Sequence, residues 1–200
     1  KSERQLMHIE AVDNKKDLYE MKDVLPNQLI QELKKIPLDA APFTKMDWQE
    51  HMPRRRLIQM PGSVLSQIHQ NINDNKDHIA KHIGHNINHI DTAFWYDLEG
   101  FDFSPHIDNP GVEKVMQLYL SNCLNAGTVF YNVRDEEVEV RDDDQVWHYT
   151  GPRPPLDVRK AFDFVENTGY IMLNGKHQLH GVPNRIGKDD LRLSVYCWIN

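Results

Sequence analysis

The rhythm of apolar positions along this chain changes near residue 90. From Pro26 to Ile36, Leu29, Ile30, Leu33 and Ile36 recur at helical spacing with charge on the other side, and Pro37 ends the element. After Pro42 the chain reads as a loop or short strand through Trp48, and Arg56 to Met60 reads as a strand before Pro61-Gly62. Ser63 is placed as the N-cap of a helix carrying Val64, Leu65, Ile68 and Ile72. A further helical pattern from about Asp77 to His89 carries Ile79, Ile83 and Ile87, with Ile90 next in the series. Beyond Asp91 the pattern becomes short apolar strands separated by turns: Thr92–Tyr96, Val115–Leu120, Thr128–Tyr131, Gln145–Tyr149, Ala161–Val165, Tyr170–Leu173 and Leu191–Ile199. Helices followed by a run of strands predict an α+β fold. The acidic run Asp135–Asp144 and the Pro-rich Gly151–Pro155 read as a long insertion between core strands, either a lid or a solvated hairpin.

Two hundred residues with 40% hydrophobic content make one domain with room for a substantial core. No apolar run approaches the roughly 20 residues that span a bilayer. Lys1 to Glu10 is charged and lacks a secretory apolar core, although the chain does not begin with Met and leaves room for a removed leader. Only Cys123 and Cys197 are present, too few for a disulfide framework, so a reducing, cytoplasmic setting is expected. A net charge of −7 argues against a nucleic-acid binder, and no membrane partner is expected. The one basic cluster, Arg54-Arg55-Arg56, reads first as a solvated turn after Pro53 and second as the rim of a substrate entrance.

The candidate chemistry lies in His106-Ile107-Asp108 and, 72 residues after the aspartate, His180-Gly181-Val182. On a strand, His106 and Asp108 point to one face. A distant His can close the triangle, giving two imidazoles and a carboxylate on one face of an octahedral metal, the facial triad of non-haem Fe(II) oxygenases. His106, Asp108 and His180 are the expected ligands. A rival stripe exists: His78, His82, His85 and His89 stand at i, i+4, i+7 and i+11. It lacks the Glu of a catalytic HExxH helix and reads first as a polar boundary beside the isoleucines, with a zinc protein as the alternative. A surface turn is the competing reading of Asp108-Asn109-Pro110-Gly111.

Several segments together resemble the Fe(II)/2-oxoglutarate-dependent dioxygenase superfamily, and within it the prolyl hydroxylases that act on the hypoxia-inducible factor. They are Tyr96-Asp97-Leu98-Glu99-Gly100, His106-Ile107-Asp108-Asn109-Pro110, Leu118-Tyr119-Leu120-Ser121-Asn122, Gly127-Thr128-Val129-Phe130, Gly169-Tyr170-Ile171-Met172, His180-Gly181-Val182 and Arg192-Leu193-Ser194. The similarity runs from Ile90 to Asn200, about half the chain. It implies a double-stranded β-helix, a jelly-roll catalytic core over residues 90–200, flanked by a helical N-terminal support region over 1–89.

The resemblance also implies the cofactors: Fe(II), with 2-oxoglutarate as co-substrate and O2, giving succinate and CO2. His180 fits the family's distal ligand, ahead of a Gly-Val pair, with His177 as fallback. Arg192 is expected to hold the far carboxylate of 2-oxoglutarate, because a guanidinium meets a carboxylate with two parallel bonds. Ser194 would support it from the same strand face. Tyr119 and Tyr96 are placed beside the co-substrate by resemblance, with core packing as the alternative for both. The gap to Arg192 exceeds the family's usual spacing, which keeps Arg185 as the other candidate. A carboxylate at 108, where the family's halogenases carry a small residue, implies hydroxylation. The substrate is expected to be peptidyl proline, a free amino acid or another small molecule, with Arg55, Arg56 and Asn109 as candidate contacts. A non-catalytic jelly-roll binding module is the reading from a different class.

Overall fold

In the computed structural model, which describes residues 7–38, 43–45, 52–141 and 145–200, the N-terminal region begins with strands rather than helices. Strands β1 (His8–Ala11) and β2 (Leu18–Lys22) form a hairpin that precedes helix α1 (Asn27–Leu33). Strands β3 (Phe43–Lys45) and β4 (Arg54–Leu57) lead to helices α2 (Val64–Asp74) and α3 (Lys76–Ile83). The second half contains β5 (Ile90–Asp97), β6 (Phe103–His106), β7 (Lys114–Tyr119), β8 (Val129–Tyr131), β9 (Val138–Val140) and β10 (Trp147–Tyr149). It closes with β11 (Val158–Ala161), β12 (Thr168–Leu173), β13 (His180–Val182) and β14 (Arg192–Ile199).

The large sheet has the order β1-β2-β12-β7-β14-β5-β4-β3, and the small one β11-β8-β13-β6, with antiparallel pairing throughout. This is the jelly-roll architecture the resemblance implies. One face of the large sheet offers Met21, Phe94, Met116, Leu118, Ile171, Leu193, Val195 and Cys197 to the helices. The other offers Leu18, Val115, Tyr119, Tyr170 and Met172 to Phe130 and Val182 of the small sheet. Burial on both faces explains why β7 and β14 are nearly continuous apolar runs rather than alternating ones. Both cysteines are buried free thiols. No helix among the described residues is long and apolar enough to cross a membrane.

The expectation of a helical support region over 1–89 is corrected in part. Its hairpins β1–β2 and β3–β4 supply both edges of the large sheet, pairing with β12 and β5. The burial sequence of β2 shows why it belongs there: Leu18, Tyr19 and Met21 are buried while Lys22 is exposed. Trp48 lies outside the described residues. Ser63 does cap α2, its hydroxyl accepting from the Ser66 amide at 3.3 Å, and the helix buries Leu65, Ile68 and Ile72.

The helix expected to reach His89 ends instead at Gly84, whose left-handed backbone (φ 72°) turns the chain. Ile87 and Ile90 stay buried, but Ile90 already belongs to β5, so one hydrophobic series spans a helix and a strand. The histidine stripe breaks there too. His78 Nε2 lies 3.0 Å from the Met7 carbonyl, His82 Nδ1 lies 2.9 Å from the His78 carbonyl, and His89 faces Asp91. Among the described residues it gathers no three-ligand cluster.

Two strand expectations also shift. The strand sought at Ala161–Val165 lies at Val158–Ala161, while Phe164 makes a lone bridge to Cys123. Strand β6 was not legible, because Phe103-Ser104-Pro105-His106 has no apolar run and includes a proline, tolerated here because β6 is a sheet edge. Within the acidic insertion, β9 and β10 pair antiparallel. Its Val138, Trp147 and Tyr149 cover the outer face of the small sheet against Ile107, Tyr131 and Leu179.

The helix layer is expected to contribute directly to stability. Ile68→Ala, at a fully buried position in α2, should cost about 3 kcal/mol, read as a lower denaturant midpoint at unchanged slope. A loss under about 1 kcal/mol would mean that α2 does not act as a rigid cover for the sheet.

Candidate functional site

Strand β6 ends at His106, and the turn that follows is built around Ile107. Ile107 is buried against Tyr131, Tyr149 and Leu179 on the outer side of the small sheet, so the residues flanking it turn inward. Asn109 accepts from the Gly111 amide at 2.9 Å. The Asn174 amide group closes on the carbonyls of Asp108, Asn109 and Val112 at 3.4, 3.0 and 2.7 Å, clamping the turn from β12's end. His180, the first residue of β13, pairs directly with His106. Gly181 permits this: a Cβ there would come within 2.6 Å of the Phe103 carbonyl oxygen, so only glycine lets β13 approach β6 so closely.

His106, Asp108 and His180 therefore meet, with one ligating atom from each lying within 4.8 Å of the others. His106 Nδ1 lies 3.0 Å from the Ser104 carbonyl, and His180 Nδ1 lies 2.8 Å from the Gln178 carbonyl. A carbonyl only accepts, so each Nδ1 carries a hydrogen and each Nε2 is directed to the centre of the cluster. Those Nε2 atoms lie 3.3 and 3.8 Å from Asp108 Oδ1, while Asp108 Oδ2 accepts from the Tyr196 hydroxyl at 3.1 Å. His180 also stacks on Phe130, and His106 lies against Phe103.

The electrostatics favour the ligand forms. Burial, with His106 nearby, pushes His180 down to about 4 against the pull of Asp108 and the bond to Gln178, so its ring is neutral at pH 7. Burial acts to raise Asp108, but the His106 hydrogen bond, the fields of His180 and His106, and the Tyr196 hydroxyl outweigh it and hold the carboxyl at about 2. A neutral His180 and an ionised Asp108 are the forms in which these groups can bind a divalent metal.

A polar network crosses the sandwich beside this cluster. Buried Gln117 donates to Ser194 Oγ at 3.2 Å and accepts from the Tyr170 hydroxyl and Thr128 Oγ1 at 3.0 and 3.2 Å. The Tyr119 hydroxyl accepts from the Thr128 amide at 3.1 Å, and its ring stacks on Phe164. Further along β14, Arg192 is 1% exposed, its guanidinium set between the rings of Phe101 and Phe164. Its Nη1 donates to Asp97 and its Nε to the Ala126 carbonyl at 2.9 Å, while Nη2 is buried without a partner among the described residues. Arg54 Nε reaches the other oxygen of Asp97 at 2.8 Å.

Several sequence assignments move. His177 turns outward to Asp135, and exposed Arg185 pairs with Asp102, so neither fallback approaches the cluster. Tyr96 is opposite Leu193 and packs into the helix-side core, on the far face of the sheet from Arg192; Trp95, opposite Ser194, faces the site instead. Arg55 shares the Tyr96 face, whereas Arg54 is the arginine of that cluster that turns inward. Arg56 is exposed and Asn109 serves the turn.

Gln117, Tyr170, Tyr196, Asn174 and Asp97 were given no role, and Arg54 only that of a substrate-entrance rim. A lone Gln within an apolar strand, and an Asp closing one, were available signals for Gln117 and Asp97. The others depend on pairing register. Gln178 was missed as well: its side chain lies between Arg159 and the Asp17 carbonyl, and Arg159 also binds Asp13 and Asp17. The N-terminal hairpin is thereby tied to the segment whose carbonyl orients His180.

No protein-family model matches the chain, and no curated protein matches it. Solved structures do. A prolyl-4-hydroxylase of Pseudomonas putida superposes with a TM-score of 0.62 at 16% identity, over 95% of this chain and 96% of that one. A prolyl hydroxylase from Trichoplax adhaerens, in complex with a hypoxia inducible factor oxygen degradation domain peptide fragment, gives 0.62 at 12% identity, over 94% and 86%. HygX from Streptomyces hygroscopicus, with nickel, 2-oxoglutarate and hygromycin B bound, gives 0.58 at 10% identity, over 92% and 82%. The likeness establishes a shared fold along nearly the whole chain, including the N-terminal region in which no motif was recognised.

Two measurements probe the cluster. His180→Ala should abolish stoichiometric Mn(II) binding by calorimetry, and His177→Ala should leave it within about twofold; the reverse pattern would transfer the distal position to His177. In the metal-free protein, acidification should lower stability. His180 stays neutral in the fold down to about 4, while its unfolded counterpart takes up a proton near the ordinary 6.5, so stability falls between those values. Asp108 adds a second fall between its ordinary 3.8 and about 2. His180→Gln should flatten the upper limb of the stability–pH curve, and an unchanged limb would remove the buried neutral imidazole as its cause.

Proposed function

We propose that this chain is a non-haem Fe(II)- and 2-oxoglutarate-dependent oxygenase that hydroxylates its substrate. The observation carrying the proposal is the convergence of His106 Nε2, His180 Nε2 and Asp108 on one point, with both imidazole tautomers set by backbone carbonyls. The donor set fits Fe(II): two imidazole nitrogens and one carboxylate oxygen, leaving positions open for a chelating co-substrate and O2. The buried, unpartnered Nη2 of Arg192 fits the far carboxylate of a 2-oxo diacid.

In this reading His106, Asp108 and His180 hold the metal. Bound Fe(II), with 2-oxoglutarate and O2, supplies an oxidant able to remove hydrogen from a C–H bond, leaving succinate and CO2. The chain's own residues orient and enclose. Ser104 and Gln178 carbonyls fix the imidazoles, Tyr196 occupies the outer oxygen of Asp108, and Asn174 holds the turn. Arg192, with Ser194 and Tyr119 on neighbouring positions of the same sheet face, receives the co-substrate. Phe103 and Phe130 stand behind the imidazoles and limit water around them. Two of the solved structures described above are prolyl hydroxylases, so a proline-containing peptide is the first substrate class to test; HygX holding hygromycin B makes small molecules the second.

The expected activity is slow conversion of 2-oxoglutarate to succinate by the Fe(II)-loaded protein in air, abolished in Asp108→Ala. Arg192→Met should raise the 2-oxoglutarate requirement of that turnover at least tenfold with iron affinity nearly unchanged, and Arg192→Lys should recover only part. An Arg192→Met protein with unaltered requirement would remove the co-substrate role from that residue. A wild-type protein that takes up iron yet neither binds nor consumes 2-oxoglutarate would overturn the function.

A further inference from the structure

Arg54 lies outside the segment that carries the family resemblance, on β4 of the N-terminal region, yet its side chain is only 16% exposed. Its guanidinium stacks over Trp95 at 4.3 Å and against Phe101 at 4.7 Å, and its Nε holds Asp97. Asp97 is completely buried and has its other oxygen on Arg192. Two guanidinium groups thus share one carboxylate, and the triad carries a net charge of +1 away from water. Burial pushes the Arg54 guanidinium down and Arg192 adds to this, while Asp97 opposes both. An uncompensated buried charge is costly, and the unpartnered Arg192 Nη2 marks where the compensation is missing.

We propose that Arg54 is the second cation of the subsite for the far carboxylate of 2-oxoglutarate, and that Asp97 is the internal anion that holds the two arginines together and limits the subsite to one carboxylate. The inference rests on the 2-oxoglutarate reading above. Position supports it. Trp95 is opposite Ser194, and Ser194 lies between Arg192 and Tyr196 on the inward face of β14. Tyr196 in turn bonds Asp108. Arg54, stacked on Trp95, therefore lies on the same sheet face as Arg192, Ser194 and Tyr196. A ligand carboxylate would bring the triad to neutrality, two positive groups against two negative ones. A 2-oxo acid lacking that carboxylate would leave the positive charge in place. Arg54 is thus a specificity-determining residue, and Asp97 a positioning one.

The test is calorimetric binding to the full chain loaded with Mn(II), using 2-oxoglutarate and 2-oxopentanoate, which has the same carbon chain without the far carboxylate. Arg54→Gln leaves Asp97 paired with Arg192. It should weaken 2-oxoglutarate roughly tenfold or more while changing 2-oxopentanoate and Mn(II) affinity less than about twofold. Arg54→Lys, which restores charge without the planar fork and keeps the pair with Asp97, should fall between the two and covers the case of a misfolded Gln variant. Wild-type preference for 2-oxoglutarate with no loss in either variant would overturn the role of Arg54 and leave the function standing. Equal weakening of both acids would make Arg54 a structural residue only. A wild-type protein that binds Mn(II) but does not distinguish the two acids would overturn the 2-oxoglutarate reading, and this inference with it.

Discussion

Burial of Ile107 against Tyr131, Tyr149 and Leu179 turns the two side chains beside it toward the interior of the sandwich, and the site depends on that turn. His106 and Asp108 are adjacent to a residue that cannot leave its apolar pocket without exposing it, so neither can rotate outward while Ile107 stays. The β9–β10 pair contributes Tyr149, Val138 and Trp147 to the same pocket. The acidic insertion thus acts behind the ligands, packing the small sheet's outer face. Asn174 and Gly181 complete the constraint, one by holding the turn's carbonyls and the other by letting β13 lie close enough for His180 to meet its partners.

The interior this constraint creates is unusually polar for the space between two sheets. Gln117, Ser194, Thr128, Tyr170 and Tyr119 satisfy one another, and Arg54, Asp97 and Arg192 form a separate charged group. Fully bonded networks of this kind rigidify a core, whereas a single orphan donor within one is a defect or a binding site. Aromatic rings stand over both guanidinium groups, which lowers the cost of keeping cations from water. The arrangement places two guanidinium groups at one end of the inward sheet face and the ionised Asp108 with its two histidines at the other.

The N-terminal region enters the site by two routes. Strand β4 delivers Arg54 to Asp97, and the β1–β2 turn delivers Asp13 and Asp17 to Arg159, which reaches Gln178 beside His180. A segment without a recognisable motif therefore supplies a charged group of the interior and a support for His180. Its helices shield the other face of the large sheet, where Ile68, Ile72, Ile79 and Ile83 meet Met116, Leu118 and Val195.

Local chemistry legible in one stretch of chain carried the first part of this picture: the Ser63 cap, the α2 stripe, the strand rhythm after residue 90, and the His106, Asp108, His180 set with Arg192. The first three depend on periodicity and short-range chemistry, whereas the choice of His180 over His177 and the place of Arg192 came from the family resemblance. Register and face had to come from the tertiary structure. Tyr96 and Trp95 are neighbours, as are Arg54 and Arg55, and a shift of one residue exchanges the side of the sheet that each occupies. Gly84 stopped a helix that an unbroken isoleucine series seemed to continue, because burial against one core can be satisfied by a helix and then a strand. The pairing of Arg192 with Asp97 rather than with nothing was decided the same way: a charge far inside a sandwich takes whatever partner the opposing register brings within reach, and sequence distance does not measure that.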